Sequence, residues 1–125
     1  MVRKIRIKAG QIQAEAELND TNVAGAIWDA LPIEGHGDLW GDEIYFAIPV
    51  KMELEKGQEV VQIGDIGYWP PGAAFCIFFG ETPMSRKGEI RPASAVTVVG
   101  RVIGNTTVFR KVPPGAKMLI SKKDE

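Results

Sequence analysis

The segment Gly64-Asp65-Ile66-Gly67-Tyr68-Trp69-Pro70-Pro71-Gly72-Ala73-Ala74-Phe75-Cys76-Ile77-Phe78-Phe79-Gly80 decides the fold, because its seventeen residues hold five of the ten aromatics and the only cysteine of the chain. Two apolar runs flank Pro70-Pro71-Gly72. The prolines fix φ near about −65° and the glycine tolerates positive φ, so the chain is expected to reverse there and the two runs to pair as a β-hairpin. Side chains alternate between the faces of a strand, so Tyr68 and Trp69 point to opposite sides and cannot both belong to one core.

The same alternation continues on either side of this hairpin. Before it, Ile44, Phe46, Ile48 and Val50 alternate with Tyr45, Ala47, Pro49 and Lys51, which predicts a strand, and residues 59–62 suggest another short one. Nearer the start, Ile5, Ile7 and Ala9 alternate with Lys4, Arg6 and Lys8. Beyond Gly10-Gln11 the residues Ala14, Ala16 and Leu18 alternate with Gln13, Glu15 and Glu17, giving an opening hairpin with one wet face. Asn19-Asp20-Thr21 supplies candidate N-caps for a helix over about residues 21–31, where Val23, Ile27 and Leu31 fall on one face. Pro32 ends that helix, and Gly25 inside it costs about 1 kcal/mol relative to Ala. Residues 32–42, with Gly35, His36, Gly37, Trp40 and Gly41, read as a loop that offers an exposed functional edge.

After the aromatic hairpin, residues 81–91 are polar and read as a long surface loop. The β-branched runs Ala95–Ile103 and Thr106–Phe109 are joined by Gly104-Asn105, which predicts a tight hairpin. Pro113-Pro114-Gly115 repeats the earlier turn chemistry ahead of a last strand at 117–121, and residues 122–125 form a charged tail expected to fray. About eight short strands and one helix predict a mainly β fold, a closed and mostly antiparallel barrel formed by residues 1–125 as a single domain.

Bulk composition narrows the function classes. At 125 residues the chain buries roughly two-thirds of the surface exposed by its unfolded form, enough for a core without disulfides. Hydrophobic residues at 45% and charged residues at 25% argue against disorder, and a net charge of −1 carries no footprint for nucleic acid. The basic N-terminus alternates with apolar residues and reads as a strand, not as a signal sequence, and no run is long enough to cross a bilayer. A lone cysteine cannot form an intramolecular disulfide, so the cytoplasm is the expected location, with neither nucleic acid nor membrane as partner.

Several segments together carry a family resemblance. Asn19-Asp20-Thr21 through Trp28-Asp29-Ala30-Leu31-Pro32, Trp40-Gly41-Asp42-Glu43-Ile44-Tyr45-Phe46, the aromatic hairpin through Thr82-Pro83, Ile90-Arg91-Pro92-Ala93-Ser94, and Val98-Val99-Gly100-Arg101 resemble the small prokaryotic family of cyclophilin-like barrels. That family shares the cyclophilin fold and is largely without an assigned biochemical role. Cyclophilins proper are peptidyl-prolyl isomerases, so the resemblance implies a hypothesis of catalysis against the barrier of about 18–20 kcal/mol to rotation about an X-Pro bond. That chemistry needs an apolar proline pocket, groups that align the peptide, and an arginine aimed at the proline nitrogen. The cyclophilin segment Phe-His-Arg-Ile-Ile-Pro has its best counterpart in residues 40–49, where Phe46 takes the place of the arginine. The Gln-Gly-Gly-Asp-Phe motif is replaced by residues 51–56, and Ser-Gln-Phe-Phe corresponds to residues 74–77, where Phe75 keeps an aromatic and the glutamine is lost. No catalytic residue is therefore assigned, and an atypical isomerase rests on fold analogy alone.

Candidate ligand-binding residues are Glu43, Tyr45, Phe46, Tyr68, Trp69, Phe75 and Arg91. Aromatic walls with a few polar groups describe a ligand pocket, although alternate aromatics also fill a barrel. Asp42 and Glu43 are adjacent and point to opposite sides of a strand, so they form no carboxylate dyad, and Glu43 is the stronger pocket acid. Arg91 stands in a long loop, where a salt bridge that holds the loop is the competing reading. Cys76 reads as a buried small hydrophobe. His36 and Cys76 stand forty residues apart, so neither metal nor cofactor is expected. Three classes of function follow: a module that binds a small molecule or proline-containing peptide against Tyr45, Trp69 and Phe75; an atypical prolyl isomerase; and a homo-oligomer that uses the aromatic hairpin as its interface.

Overall fold

The computed structural model describes residues 3–123, and eight strands close into a barrel. The strands are β1 (Arg3–Ala9), β2 (Ile12–Leu18), β3 (Ile33–Leu39), β4 (Glu43–Ala47), β5 (Asp65–Trp69), β6 (Ala74–Phe78), β7 (Thr97–Ile103) and β8 (Ala116–Lys122), with one helix, α1 (Asn22–Ala30). Around the wall the order is β1-β2-β7-β5-β6-β4-β3-β8, and every neighbouring pair is antiparallel. Closure leaves no free sheet edge.

The aromatic segment forms the expected hairpin, with Tyr68 opposite Phe75 and Trp69 opposite Ala74. Its reversal is a 3-10 turn over Pro70–Gly72, and the left-handed residue is Ala73 (φ 47°), not Gly72. Gly72 is small for another reason: a Cβ there would stand 2.9 Å from the Trp69 ring. α1 begins at Thr21, whose hydroxyl accepts the Ala24 N–H at 3.1 Å, and buries Val23, Ala24 and Ile27. Because Leu18 pairs with Gly100 and Glu15 with Ile103, α1 follows β2 at one end of the barrel and the segment after β7 lies at the other.

Three expectations are corrected. Residues 33–39 are a strand and not a loop. Its inward positions Gly35 and Gly37 lack side chains because Phe46 would stand 2.7 Å from a Cβ at Gly35, and Ile44 2.9 Å from one at Gly37. Second, Thr106–Lys111 is a 3-10 helix and not the second arm of a hairpin; the Asn105 side chain caps it by accepting the Thr107 N–H at 2.9 Å. Phe109 from this helix packs on Phe79, with ring centroids 5.9 Å apart. Third, residues 59–62 form no strand and contribute one bridge, Val61 to Ile90. At the C-terminus Lys122 closes β8 and Lys123 is tied to Glu15 (2.9 Å) and to the Lys4 carbonyl (3.0 Å); the remainder of the expected fraying tail lies outside the described residues.

There are two cores. The larger fills the barrel, where Ile5, Ile7, Ile44, Phe46, Ile66, Tyr68, Phe75, Ile77, Met118 and Ile120 are all buried. The smaller lies on the outside of the wall, where Ala74, Cys76 and Phe78 of β6 are covered by Val61, Ile90 and Val96. The covering connection, residues 79–96, is pinned by the Val61–Ile90 and Gln58–Val96 bridges. Gly67 of β5 admits it, since a Cβ at that position would meet Val96 at 3.0 Å and Phe78 at 3.1 Å.

Candidate functional site

Strand alternation sends Ile44 and Phe46 into the barrel and Glu43 and Tyr45 to its outer wall. The register then sets Glu43 beside Phe78, and Tyr45 beside Cys76, which in turn neighbours Gly67 of β5. At the far end of β5, Trp69 faces the same way. Over this wall the 79–96 connection lays Pro92, Ala93 and Val96, and the β3–β4 turn brings Trp40. These residues enclose a pocket of about 230 Å³.

The pocket rim is fixed. The Trp69 indole N–H donates to Ser94 Oγ at 2.7 Å, while Gly72 abuts the other end of the ring. The Trp40 N–H donates to the Glu43 carbonyl at 2.9 Å, which ties the turn to the first residue of β4. The covering connection is knitted by Thr82 and Ser85: the Thr82 hydroxyl donates to the Arg91 carbonyl, and the Arg91 N–H donates to Ser85 Oγ at 3.0 Å. Site precision of this kind comes from such supporting contacts.

Glu43 is the one charged residue buried among those described, with 5% of its surface exposed. Its Oε1 has no hydrogen-bond partner among the described residues. Burial pushes its carboxyl up from 4.5 to about 7, and the neighbouring Cys76 thiol opposes this as a hydrogen-bond donor. Cys76 is driven the same way, well above its ordinary value, by burial and then by the Glu43 charge. The thiol therefore stays protonated and is no nucleophile. Near neutrality Glu43 exists in both protonation states, so it is able to accept, donate or exchange a proton with whatever enters the pocket.

Of the residues singled out from the sequence, the structure brings Glu43, Tyr45 and Trp69 together at this pocket. Phe46, Tyr68 and Phe75 lie elsewhere, inside the barrel. Phe46 and Phe75 stack at 5.7 Å between centroids, and the Tyr68 hydroxyl donates to the Val50 carbonyl at 2.6 Å and accepts the Met52 N–H at 3.1 Å. Arg91 holds the loop: its guanidinium meets Glu89 at 3.2 and 3.3 Å and Glu59 at 3.8 Å, and it does not line the pocket. Asp42 points away from Glu43 and pairs with Arg110 at 2.9 Å. His36 is exposed on β3. Trp40, Pro92, Ala93 and Val96 are pocket residues that strand alternation does not find, because they reach the wall from a turn and a long connection. Trp40, Pro92 and Ala93 belong to segments that carry the family resemblance, and Trp40 also to the stretch read as an exposed functional edge, whereas Val96 was legible only as part of the β-branched run 95–103.

A closed eight-stranded antiparallel barrel with this connectivity is a cyclophilin-type barrel. The chain belongs to the cyclophilin-like family, whose model matches residues 3–121. Among solved structures it is similar to the solution structure of the hypothetical protein AF2241 from Archaeoglobus fulgidus, with 39% sequence identity, a TM-score of 0.83, and coverage of 98% of this chain and 95% of that one. No curated protein matches the chain. No helix among the described residues is long and apolar enough to cross a membrane.

Proposed function

We propose that the protein is a binding module that holds a small molecule in the outer-wall pocket between Trp40, Tyr45 and Trp69, with Glu43 as the polar anchor. The observation that carries this reading is the buried, unpartnered Glu43 Oε1 at an otherwise apolar concavity. Apolar walls with one or two placed polar groups are the usual make-up of small-molecule sites. Prolyl isomerisation of the cyclophilin type is disfavoured, because Arg91 is engaged by Glu89 and Glu59, and Phe46, at the position of the cyclophilin arginine, faces the barrel interior.

The test is an NMR fragment screen that follows the indole N–H signals of Trp40 and Trp69, repeated on Ala93→Trp, which fills the rim from an exposed position. Fragments that shift both indoles in the wild type and lose their effect in the variant support the reading. Fragments that bind elsewhere, or equally well to the filled variant, refute it. Magnetisation exchange on an Ala-Pro peptide, run beside a cyclophilin, is expected to show no acceleration.

A further inference from the structure

Three aromatic side chains and one carboxylate converge on the same small cavity, and that combination selects a particular ligand charge. A neutral apolar ligand would leave Glu43 Oε1 desolvated and unpaired, an arrangement that costs free energy. An anion would be repelled by the carboxylate and by the negative faces of the rings. A compact ammonium ion is rejected for a different reason, since the pocket offers few polar atoms to replace its hydration shell. An alkyl-substituted ammonium group satisfies every part: its methyl or methylene groups spread the charge against Trp and Tyr faces, which attract cations, and its remaining N–H reaches the carboxylate.

We propose that the pocket is a receptor for a small alkylammonium cation, with Trp40, Tyr45 and Trp69 forming an aromatic cage and the Glu43 carboxylate accepting the ammonium N–H. This assignment rests on the pocket being a ligand site and goes further by naming the ligand class. Three features of the structure support it. Glu43 is buried and forms no ion pair among the described residues, and Arg91 of the covering connection is already paired with Glu89 and Glu59. Trp69 is held in place by Ser94 and Gly72, so the cage is formed before the ligand arrives. The remaining walls, Pro92, Ala93 and Val96, carry no charge of either sign, so the carboxylate alone sets the electrostatics of the cavity.

The experiment is a titration above pH 7, where Glu43 is ionised, read by the Trp40 and Trp69 indole signals. The probes are dimethylammonium, trimethylammonium, unsubstituted ammonium and the neutral branched alcohol tert-butanol, together with a short peptide containing dimethyl-lysine. Wild type is expected to bind the methylated ammonium ions in preference to both ammonium and tert-butanol. Glu43→Gln, which keeps the shape of the side chain, is expected to lose about tenfold or more in affinity for the cations, the loss that follows from removing a charge-assisted hydrogen bond. Trp69→Leu, which keeps an apolar wall, is expected to lose the preference for cations over tert-butanol. Tighter binding of the peptide than of the free ions would place the cation on a protein side chain; tighter binding of the free ions would identify a small metabolite amine. Equal binding of tert-butanol and trimethylammonium, or an unchanged affinity in Glu43→Gln, overturns the cation assignment and leaves the pocket as a ligand site. The same holds if no ammonium binds while fragments still occupy the cavity. If neither cations nor fragments shift the indoles, both readings fall.

Discussion

Replacing Glu43 by Gln isolates the consequence of burying a carboxyl whose Oε1 has no partner among the described residues. The folded-state carboxyl stands at about 7 where an unfolded chain has 4.5. A raised acid favours the protonated form of the native state, so below 4.5, where both states are protonated, the shift has no effect on stability. As pH rises the unfolded state ionises first and gains, and above 7 the native state carries the full cost of the buried charge. At 1.36 kcal/mol per pH unit over the interval from 4.5 to 7, that cost is about 3 kcal/mol. For a chain of this length the same free energy corresponds to roughly 10 °C in melting temperature. Glu43→Gln removes the titration while retaining the shape. Urea denaturation of both proteins across this pH range is expected to show a stability difference that grows in favour of the variant by about 3 kcal/mol between pH 4.5 and 8. Any constant offset from placing an amide in the site cancels in that comparison. Parallel stability curves, or a wild type that gains on the variant as pH rises, would refute the reasoning. A carboxyl-carbon NMR titration gives an independent check, with a midpoint of about 7 expected for Glu43.

Other substitutions probe the barrel and the loop. Tyr68→Phe removes the hydroxyl that joins the Val50 carbonyl and the Met52 N–H; an equilibrium denaturation curve is expected to show a loss of about 1–3 kcal/mol, because two backbone groups lose their partner. Gly35→Ala sets a methyl 2.7 Å from the Phe46 ring, and overpacking of this kind is expected to cost about 1–3 kcal/mol and to shift the Phe46 ring resonances. Arg91→Ala breaks partly exposed ion pairs with Glu89 and Glu59, so its stability change by denaturation is expected to stay below about 1 kcal/mol. Fragment binding in the pocket is expected to survive that substitution, whereas a guanidinium acting on the ligand would make it fail.

Strands with an alternating face could be read directly, because one buried side leaves a period of two in the sequence. β1, β2 and β4 show it, whereas the β5–β6 hairpin was legible from its apolar runs around Pro70-Pro71-Gly72, since β6 is buried on both faces. β3 escaped because its central inward positions, between Ile33 and Leu39, are Gly35 and Gly37: the neighbours Phe46, Ile44 and Met118 fill the interior there, so the middle of the strand adds no side chain and its composition resembles a loop. The segment Thr106–Lys111 failed in the opposite sense. Its β-branched residues have strand propensity, but propensity is local, and the Asn105 cap together with burial of Phe109 at the end of the barrel decides for a tight helical turn. Among site residues, alternation could place Glu43, Tyr45 and Trp69 on strands, yet it could not say which face of the barrel they share. Phe46 and Tyr68 differ from Tyr45 and Trp69 by a single step along β4 and β5, and that step exchanges the outer wall for the interior, where Phe75 of β6 lies opposite both.

The two cores explain how such a barrel tolerates a costly residue on its wall. Closure and interior packing depend on residues such as Ile5, Ile7, Tyr68, Phe75 and Met118, none of which touches the outer pocket. Glu43 adds nothing to that interior, and its burial opposes folding at neutral pH. An apolar side chain at the same position would cover Phe78 and Cys76 without any unpaired oxygen, so stability alone gives no reason for a carboxylate there. The residue makes physical sense when its partner is a molecule from outside the chain. On the proposed reading, a ligand that neutralises Glu43 would recover in binding what the folded protein loses by keeping the acid buried.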